Sequence, residues 1–349
     1  MKTLLITCEY PPFRGGVANY YGQLVKHWPV VAKPEVWQVK GSWWFLSLRL
    51  LKYWRQNPEA LVIVGHILPL GTAAWLASRF FKRREYVVVL HGMDFTFAQR
   101  RPRKAFLAKM ILGGAKKIMA ANSHVAALVA ARYPKLSSKI VIVNPGVSQI
   151  NRFDQENLAP FLREKYQLHD KVVLLSLGRL VRRKGVDYTI KALASLSSTE
   201  RAGLAYVVVG AGPEESNLRR LAEESGVAVI FTGSVSEAEK WSWLNLCDIL
   251  VMPAREINGD FEGFGIVYLE ANLSGKPVIA GRSGGVSDAV SDGVSGLLVD
   301  PEDLEALATA IKTLSTDSAY REKLGQQGRV RALENFSWES KAQEFYQHL

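Results

Sequence analysis

The sequence predicts an α/β protein made of two doubly wound domains, and three observations carry that prediction. Short Val- and Ile-rich runs alternate with helical patterns in both halves of the chain, as parallel strands buried on both faces require. At 349 residues the chain exceeds one hydrophobic core of ordinary size. The charge divides along the chain: residues 1–150 hold 22 Lys and Arg against 5 Asp and Glu, a balance of +17, and residues 151–349 hold 22 against 28, a balance of −6. We therefore expect domains over 1–150 and 151–335, with a linker in the polar stretch near 147–170.

In the first half, "TLLITC" (3–8), "ALVIVG" (60–65), "YVVVL" (86–90), "KKIMAAN" (116–122) and "IVIVNPG" (140–146) read as strands. Helical patterns such as Val17–Trp28 and Ala126–Tyr133 lie between them. In the second half the strands are "VVLLSLG" (172–178), "AYVVVG" (205–210), "VAVIFTG" (227–233), "DILVMP" (248–253), "PVIAG" (277–281) and "GLLVD" (296–300). Helices are expected after Gly185, Glu214, Glu237, Gly265 and Glu302, and a last one follows "FSWES" (336–340).

Composition excludes several classes. Hydrophobic residues at 48% and charged residues at 22% describe a globular chain. Cys8 and Cys247 each sit in an apolar run and read as small buried residues of a reducing compartment, not a disulfide or metal site. Six scattered histidines argue against structural zinc, and no Asp-x-Asp motif appears, so no metal and no cofactor are expected. "MKTLLITCEYPPF" has too short an apolar core for a signal peptide and reads as a first strand and loop. No stretch reaches 18 uncharged apolar residues, so a cytoplasmic chain is expected. The basic first half is expected to face a polyanion, either a membrane surface or a nucleic acid.

Chemistry concentrates in glycine-marked turns. "YPPFRGGVANY" (10–20) places Gly15 and Gly16 before a helix, where backbone N–H groups can approach a phosphate; the same residues also suit a plain loop. It is not the dinucleotide fingerprint, which needs G-x-G-x-x-G after the first strand. "LGRLVRRKG" (177–185) sets Gly178 and Arg179 just past a strand and Lys184 five residues on, two cations suited to a diphosphate or to a solvated basic loop. Arg182 and Arg183 read as surface residues.

Loop backbone from Gly233 to Val235 is placed to read the edge of a base. Glu237 suits either acceptance from the N1–H and N2–H₂ groups of guanine or the first turn of a helix. In "FEGFGIVYLE" (261–270), Gly263 and Gly265 turn the chain into a helix, so that the N–H groups of Phe264, Gly265 and Ile266 can hold a phosphate. Glu262 and Glu270 are then hydroxyl acceptors, since two carboxylates beside a diphosphate would otherwise repel it. Arg179 and Lys184 are their expected counter-ions.

The stretch "EGFGIVYLEANLSGKPVIAGRSGGVSDAV" resembles the E-x7-E region of the retaining nucleotide-sugar glycosyltransferases of family four. The segments "EYPPFRGGVANY", "GRLVRRKG", "CDILVMPA", "GGVSDAVSDGVSGLLVD" and "FSWE" follow in the order that family shows. The resemblance covers nearly the whole chain and is weaker over 25–85. "ARE…GDFEGFGIVYLEA" and the "FSW" helix are most similar to phosphatidylinositol mannosyltransferases and related GDP-mannose enzymes.

The resemblance implies the GT-B fold, two Rossmann-like domains facing across a cleft. The first would bind the acceptor and the second the donor, and the helix at about 336–349 is expected to pack back on the first. It implies Gly16 at the donor diphosphate, Arg179 and Lys184 neutralising it, Glu262 on the sugar hydroxyls and Glu270 on the ribose. His91, in "LHGMD" (90–94), matches a histidine near the transferred sugar. The implied reaction is metal-independent hexosyl transfer with retention, from a nucleotide-sugar donor such as GDP-mannose to a lipid-linked or glycan acceptor. A UDP-linked sugar is the alternative donor.

"GSWWFLSLRLLKYWRQ" (41–56) mixes Trp43, Trp44, Phe45 and Trp54 with Arg49, Lys52 and Arg55. "FAQRRPRKAFLAKM" (97–110) adds Arg100, Arg101, Arg103, Lys104 and Lys109. Such segments fit peripheral contact with an anionic membrane, although 41–56 is also compatible with a core-facing helix. A basic nucleic-acid-binding protein is the non-enzymatic rival, but it leaves the glutamate pair unexplained and no known motif supports it. A dinucleotide oxidoreductase lacks its fingerprint. A sugar-nucleotide epimerase would need no acceptor, and no pyridoxal lysine of a phosphorylase is identifiable.

Overall fold

The computed structural model describes residues 2–13, 15–30, 33–40, 42–80, 84–148 and 158–349. The chain forms two compact units, Met1–Gly146 with Trp338–Leu349, and Val147–Ser337.

Among the described residues the first unit holds six strands: β1 (Thr3–Thr7), β2 (Glu35–Gln38), β3 (Leu61–Val64), β4 (Tyr86–Leu90), β5 (Lys117–Ala120) and β6 (Ile140–Ile142). They form one parallel sheet in the order β2-β1-β3-β4-β5-β6. β1, β3 and β4 are buried along their whole length, which is why they read as unbroken apolar runs instead of alternating ones. The sequence reading missed β2, an edge strand of four residues with one buried side chain.

Helices α1 (Gly16–Lys26), α2 (Trp43–Gln56), α3 (Leu70–Arg79), α4 (Met93–Gln99), α5 (Pro102–Gly114) and α6 (Ser123–Arg132) complete the crossovers. The expected 126–133 helix begins three residues earlier because Asn122 caps it, accepting from the Val125 N–H at 2.8 Å. The last helix of the chain (Trp338–Gln347) packs Trp338 edge-on against Tyr20, 5.6 Å between centroids, and Phe345 against Trp28.

α2 resolves the two readings of 41–56. Leu46, Leu50, Tyr53 and Trp54 face the core, whereas Trp44, Phe45 and Leu48 are 64%, 76% and 64% exposed. Trp54 is therefore no part of the aromatic surface; its indole N–H donates to the Ala60 carbonyl at 3.0 Å. Trp43 stacks on Trp44 at 3.9 Å, and Arg49 lies 3.8 Å over the Trp37 ring.

The second unit holds β7 (Val172–Leu177), β8 (Leu204–Val209), β9 (Val229–Gly233), β10 (Ile249–Met252), β11 (Val278–Gly281) and β12 (Gly296–Val299), all parallel, in the order β12-β11-β10-β7-β8-β9. Its helices are α7 (Ala159–Lys165), α8 (Val186–Ser195), α9 (Ser198–Ala202), α10 (Glu215–Glu224), α11 (Glu237–Leu246), α12 (Ile266–Leu273), α13 (Val286–Ala289), α14 (Leu304–Thr316) and α15 (Ser318–Asn335). Of the expected linker, residues 149–157 lie outside the described residues, and its later part forms α7. Trp243, Leu244 and Tyr268 are fully buried among the strands on one face of the sheet, with Ile190, Ile311 and Leu314 on the other. Each such side chain contributes about 1.5–3 kcal/mol of burial energy.

Candidate functional site

The second unit gathers polar residues where its strand order reverses, between β7 and β10. Carboxyl ends of strands at such a reversal open the crevice in which α/β sheets hold ligands. Gly178, Arg179 and Lys184, just past β7, line one small cleft with Met252 at the end of β10. Arg182–Lys184 make a single 3₁₀ turn, and Gly185 follows at φ 76° to start α8. A Cβ on Gly185 would lie 2.2 Å from the Pro253 carbonyl oxygen, so only glycine lets the turn approach the loop after β10 this closely.

Arg255 ties that loop down. Its Nη1 and Nη2 donate to Asp187 Oδ1 at 2.9 Å and Oδ2 at 2.7 Å, and its guanidinium lies 4.4 Å from the Tyr188 ring. A fork-to-fork pair of this kind fixes orientation as well as distance. The backbone N–H of Arg255 donates to the Arg183 carbonyl at 2.8 Å, which joins the loop to the β7 turn.

The loop delivers Glu262 to two cations. Lys184 Nζ and Arg183 Nη1 each lie 2.6 Å from Glu262 Oε2, and Arg183 Nε lies 3.2 Å from Asp260 Oδ1. Burial opposes ionisation of Glu262, but Lys184 and Arg183 outweigh it and hold its carboxyl below the usual value. Glu262 is thus an ionised acceptor whose Oε1 carries neither cation.

The counter-ions differ from those expected. Arg183 is not a surface residue: its side chain is 23% exposed and spent on Glu262 and Asp260. Arg182 is the exposed one, 3.5 Å from Glu214. Arg179 is exposed and has no ion pair among the described residues.

Gly265 stands at φ 79° before α12, and a Cβ there would meet the Tyr268 ring at 2.3 Å. The N–H groups of Gly265 and Ile266, at the helix start, have no intrahelical acceptor. The Phe264 side chain is buried against Phe336. Glu270, one turn into α12, bonds to Lys240 Nζ at 2.9 Å, and the same Nζ lies 2.6 Å from Glu237 Oε1. The Trp241 indole N–H also donates to Glu237 Oε1, at 3.0 Å. Glu237 is the first residue of α11, Gly233 ends β9, and Val235 packs on the apolar core of the unit.

The first unit reverses its strand order between β1 and β3. The loop after β1 runs through Gly15 into α1. A Cβ on Gly15 would lie 3.3 Å from Glu9 Oε2, while one on Gly16 would meet nothing within 4 Å. Glu9, Val17, His66, His91, Asp94 and Lys104 line a cavity of about 360 Å³. His91, just past β4, places Nε2 at 2.9 Å from the Tyr21 hydroxyl, which donates to the Gly65 carbonyl at 2.8 Å. Tyr21 has one proton to give, so His91 Nε2–H is the donor of their bond. Burial pushes the His91 pKa down to about 3, helped by His66, so the ring is neutral at physiological pH.

Asp94 Oδ1 accepts from the N–H groups of His91 at 3.1 Å and Gly92 at 3.0 Å. Its Oδ2 is buried without a hydrogen-bond partner among the described residues, and so is His66 Nδ1. Burial raises the Asp94 carboxyl above its usual value.

The second unit therefore joins Lys184 with Glu262 and links Glu237 with Glu270. The first places Gly15 and His91 beside residues of one cavity. Arg183 reads from the sequence as a surface residue, and Lys240, Arg255, Glu9, His66, Asp94 and Tyr21 are not singled out there as site residues; only Lys240, three residues after Glu237 on one helix face, left a local signal.

Residues 159–331 match the family model described as "Glycosyl transferases group 1". The GDP-mannose-dependent alpha-(1-6)-phosphatidylinositol monomannoside mannosyltransferase of Mycolicibacterium smegmatis is 30% identical over 370 residues, covering 97% of this chain and 95% of that protein. The GDP-mannose-dependent monoacylated alpha-(1-6)-phosphatidylinositol monomannoside mannosyltransferase of Corynebacterium glutamicum is 40% identical over 169 residues, 48% of this chain and 44% of that one. Among solved structures, HepE of Anabaena in complex with UDP superposes with a TM-score of 0.79 at 19% identity, covering 99% of each chain.

Proposed function

This chain belongs to the group 1 glycosyltransferases, with the GT-B fold, and from that premise we propose that it transfers mannose from GDP-mannose, with retention, to a lipid-linked or glycan acceptor. One observation carries the donor half of this reading. Glu262 is held ionised by Lys184 and Arg183 at the strand reversal, with Glu270 eight positions on. Such a carboxylate accepts from sugar hydroxyls while its cations face a diphosphate.

Arg179 and Lys184 neutralise the leaving group, with the N–H groups of Phe264, Gly265 and Ile266 and the turn at Gly178. Glu270 accepts from the ribose, and Gly233, Val235 and Glu237 meet the base. The acceptor oxygen attacks the anomeric carbon on the face from which the diphosphate departs. The new C–O bond forms as the sugar–phosphate bond breaks, the electron pair leaves with GDP, and a phosphate oxygen takes the acceptor's proton. Electrostatic stabilisation of the departing phosphate supplies most of the acceleration.

The acceptor belongs in the cavity of the first unit. Buried polar atoms without partners are costly, and Asp94 Oδ2 and His66 Nδ1 recover that cost by bonding acceptor hydroxyls. Both bonds to Glu237 fall on Oε1, so one oxygen remains for guanine's two donors, and a UDP-linked sugar is the second reading.

Thermal unfolding against GDP, UDP, ADP, dTDP and NAD tests the donor. A ligand at about 100 times its Kd adds roughly 2.7 kcal/mol. A shift with GDP alone supports mannose transfer, one with UDP alone replaces the donor, and none with any nucleoside diphosphate sinks the reading.

No helix among the described residues is long and apolar enough to cross a membrane. We place the protein peripherally on an anionic membrane through exposed Trp44, Phe45 and Leu48 of α2 beside Arg49, Lys52 and Arg55. Flotation with liposomes checks this; equal recovery with neutral and anionic lipids would remove the membrane from the proposal.

A further inference from the structure

Lys240 is a cation in an unfavourable place. It lies one turn into α11, whose N-terminal end carries the positive pole of the helix dipole. Its side chain is only 17% exposed, and burying an ammonium group is costly unless it is paired. Two carboxylates make up for both costs. Nζ lies 2.6 Å from Glu237 Oε1 on the same helix and 2.9 Å from Glu270 Oε1 on α12. Burial works to lower the Lys240 pKa, but Glu270 and Glu237 more than reverse it, so the ammonium stays charged. Nζ also lies over the Trp241 ring, 5.1 Å from its centroid, and the Trp241 N–H is tied to Glu237.

Both carboxylates serve the nucleotide in the reading above, one at the base and one at the ribose. Without a cation between them they would repel each other and the incoming diphosphate. We propose that Lys240 is a positioning residue of the donor site: it holds Oε1 of Glu270 and Oε1 of Glu237, so that the other oxygen of each faces the nucleotide. This rests on the assignment of Glu270 to the ribose. Lys240 then sets how well the site distinguishes a ribonucleotide from its 2′-deoxy form, because that distinction depends on a fixed acceptor oxygen.

The experiment is calorimetric titration of the full-length protein with GDP and UDP, each paired with its 2′-deoxy analogue. Lys240→Met, Lys240→Arg, Glu270→Gln and the Lys240→Met/Glu270→Gln double variant are compared with wild type. We expect wild type to prefer the ribonucleotide and Lys240→Met to bind it roughly tenfold more weakly, the order of one lost charge-assisted hydrogen bond. Preference for ribose over deoxyribose should shrink towards unity in Lys240→Met, recover in Lys240→Arg, and fall no further in the double variant than in Glu270→Gln.

A lysine that merely staples α11 to α12 would lower the melting temperature of Lys240→Met and leave the ribose preference of wild type intact; that result overturns the proposal alone. Additive losses in the double variant overturn it too. A wild type that binds GDP or UDP without ribose preference removes Glu270 from the ribose, and the role of Lys240 with it. A wild type that binds neither nucleotide fails at the donor reading itself.

Discussion

The two units solve opposite electrostatic problems at the carboxyl ends of their strands. In the second unit every carboxylate of the cluster already has a cation: Glu262 has Lys184 and Arg183, and Glu270 and Glu237 share Lys240. In the first unit two buried polar atoms of the cavity have no hydrogen-bond partner among the described residues, Asp94 Oδ2 and His66 Nδ1, and His91 beside them is neutral. The difference tells what each unit expects. A site of paired charges keeps its geometry without ligand and suits a charged, hydroxyl-rich one. A site of unsatisfied neutral or weakly ionised groups suits hydroxyls, and is stabilised only when they arrive.

The largest effect that would break this contrast comes from Lys184. Lys184→Ala should lower kcat by about 10²–10³, the scale for one preorganised donor at a developing charge. It also strips Glu262 of one of its two cations. Transfer rates measured with saturating donor check this. A rate within a few-fold of wild type would mean that Arg179 and Arg183 neutralise the leaving group without it.

Asp94→Asn sharpens the other side. The amide keeps an oxygen for the His91 and Gly92 N–H groups, so the local backbone is preserved, but the second acceptor atom becomes a donor. KM for the acceptor should rise roughly tenfold, as expected for one lost bond to a buried group, while nucleotide affinity stays at the wild-type value. Steady-state kinetics in both substrates separate the two. A change confined to the donor KM would mean that the cavity does not take the acceptor.

How much of this was legible differs between fold and site. Buried strands such as "LVIV" and "YVVVL" announce themselves because both faces are covered. β2 did not, because an edge strand of four residues with one buried side chain carries almost no pattern. The glycines were legible for a local reason: Gly185 and Gly265 sit where the chain turns left-handed beside another backbone or ring. The counter-ions were not. Arg183 meets Glu262 across 79 residues, Lys240 meets Glu270 across 30, and Arg255 meets Asp187 across 68. No local periodicity encodes such pairs; they exist only once the sheet brings together the segments that follow β7, β9 and β10. A basic turn such as "RLVRRKG" shows that cations are present but not which of them turns inward.

The smallest effect is a difference in acid sensitivity. His91 is held neutral in the fold with a pKa of about 3 against 6.5 for an ordinary histidine. Its contribution to stability is therefore complete above pH 6.5 and is lost as pH falls towards 3, because the unfolded chain takes up the proton first. Glu262 has a carboxyl pKa below the ordinary 4.5, so its contribution is intact above that pH and is lost only as pH falls through the lowered value. Between pH 6.5 and 4.5 the first unit should weaken while the Glu262 cluster of the second holds. Asp94 works against the trend, since its raised carboxyl protonates readily and relieves a buried charge. Amide hydrogen exchange followed peptide by peptide across that range reads each unit separately. Protection should fall first around β1, β3 and β4, and His91→Gln should flatten that fall. If the segments around Lys184 and Glu262 open first instead, the paired charges are the weaker of the two arrangements and the contrast is reversed.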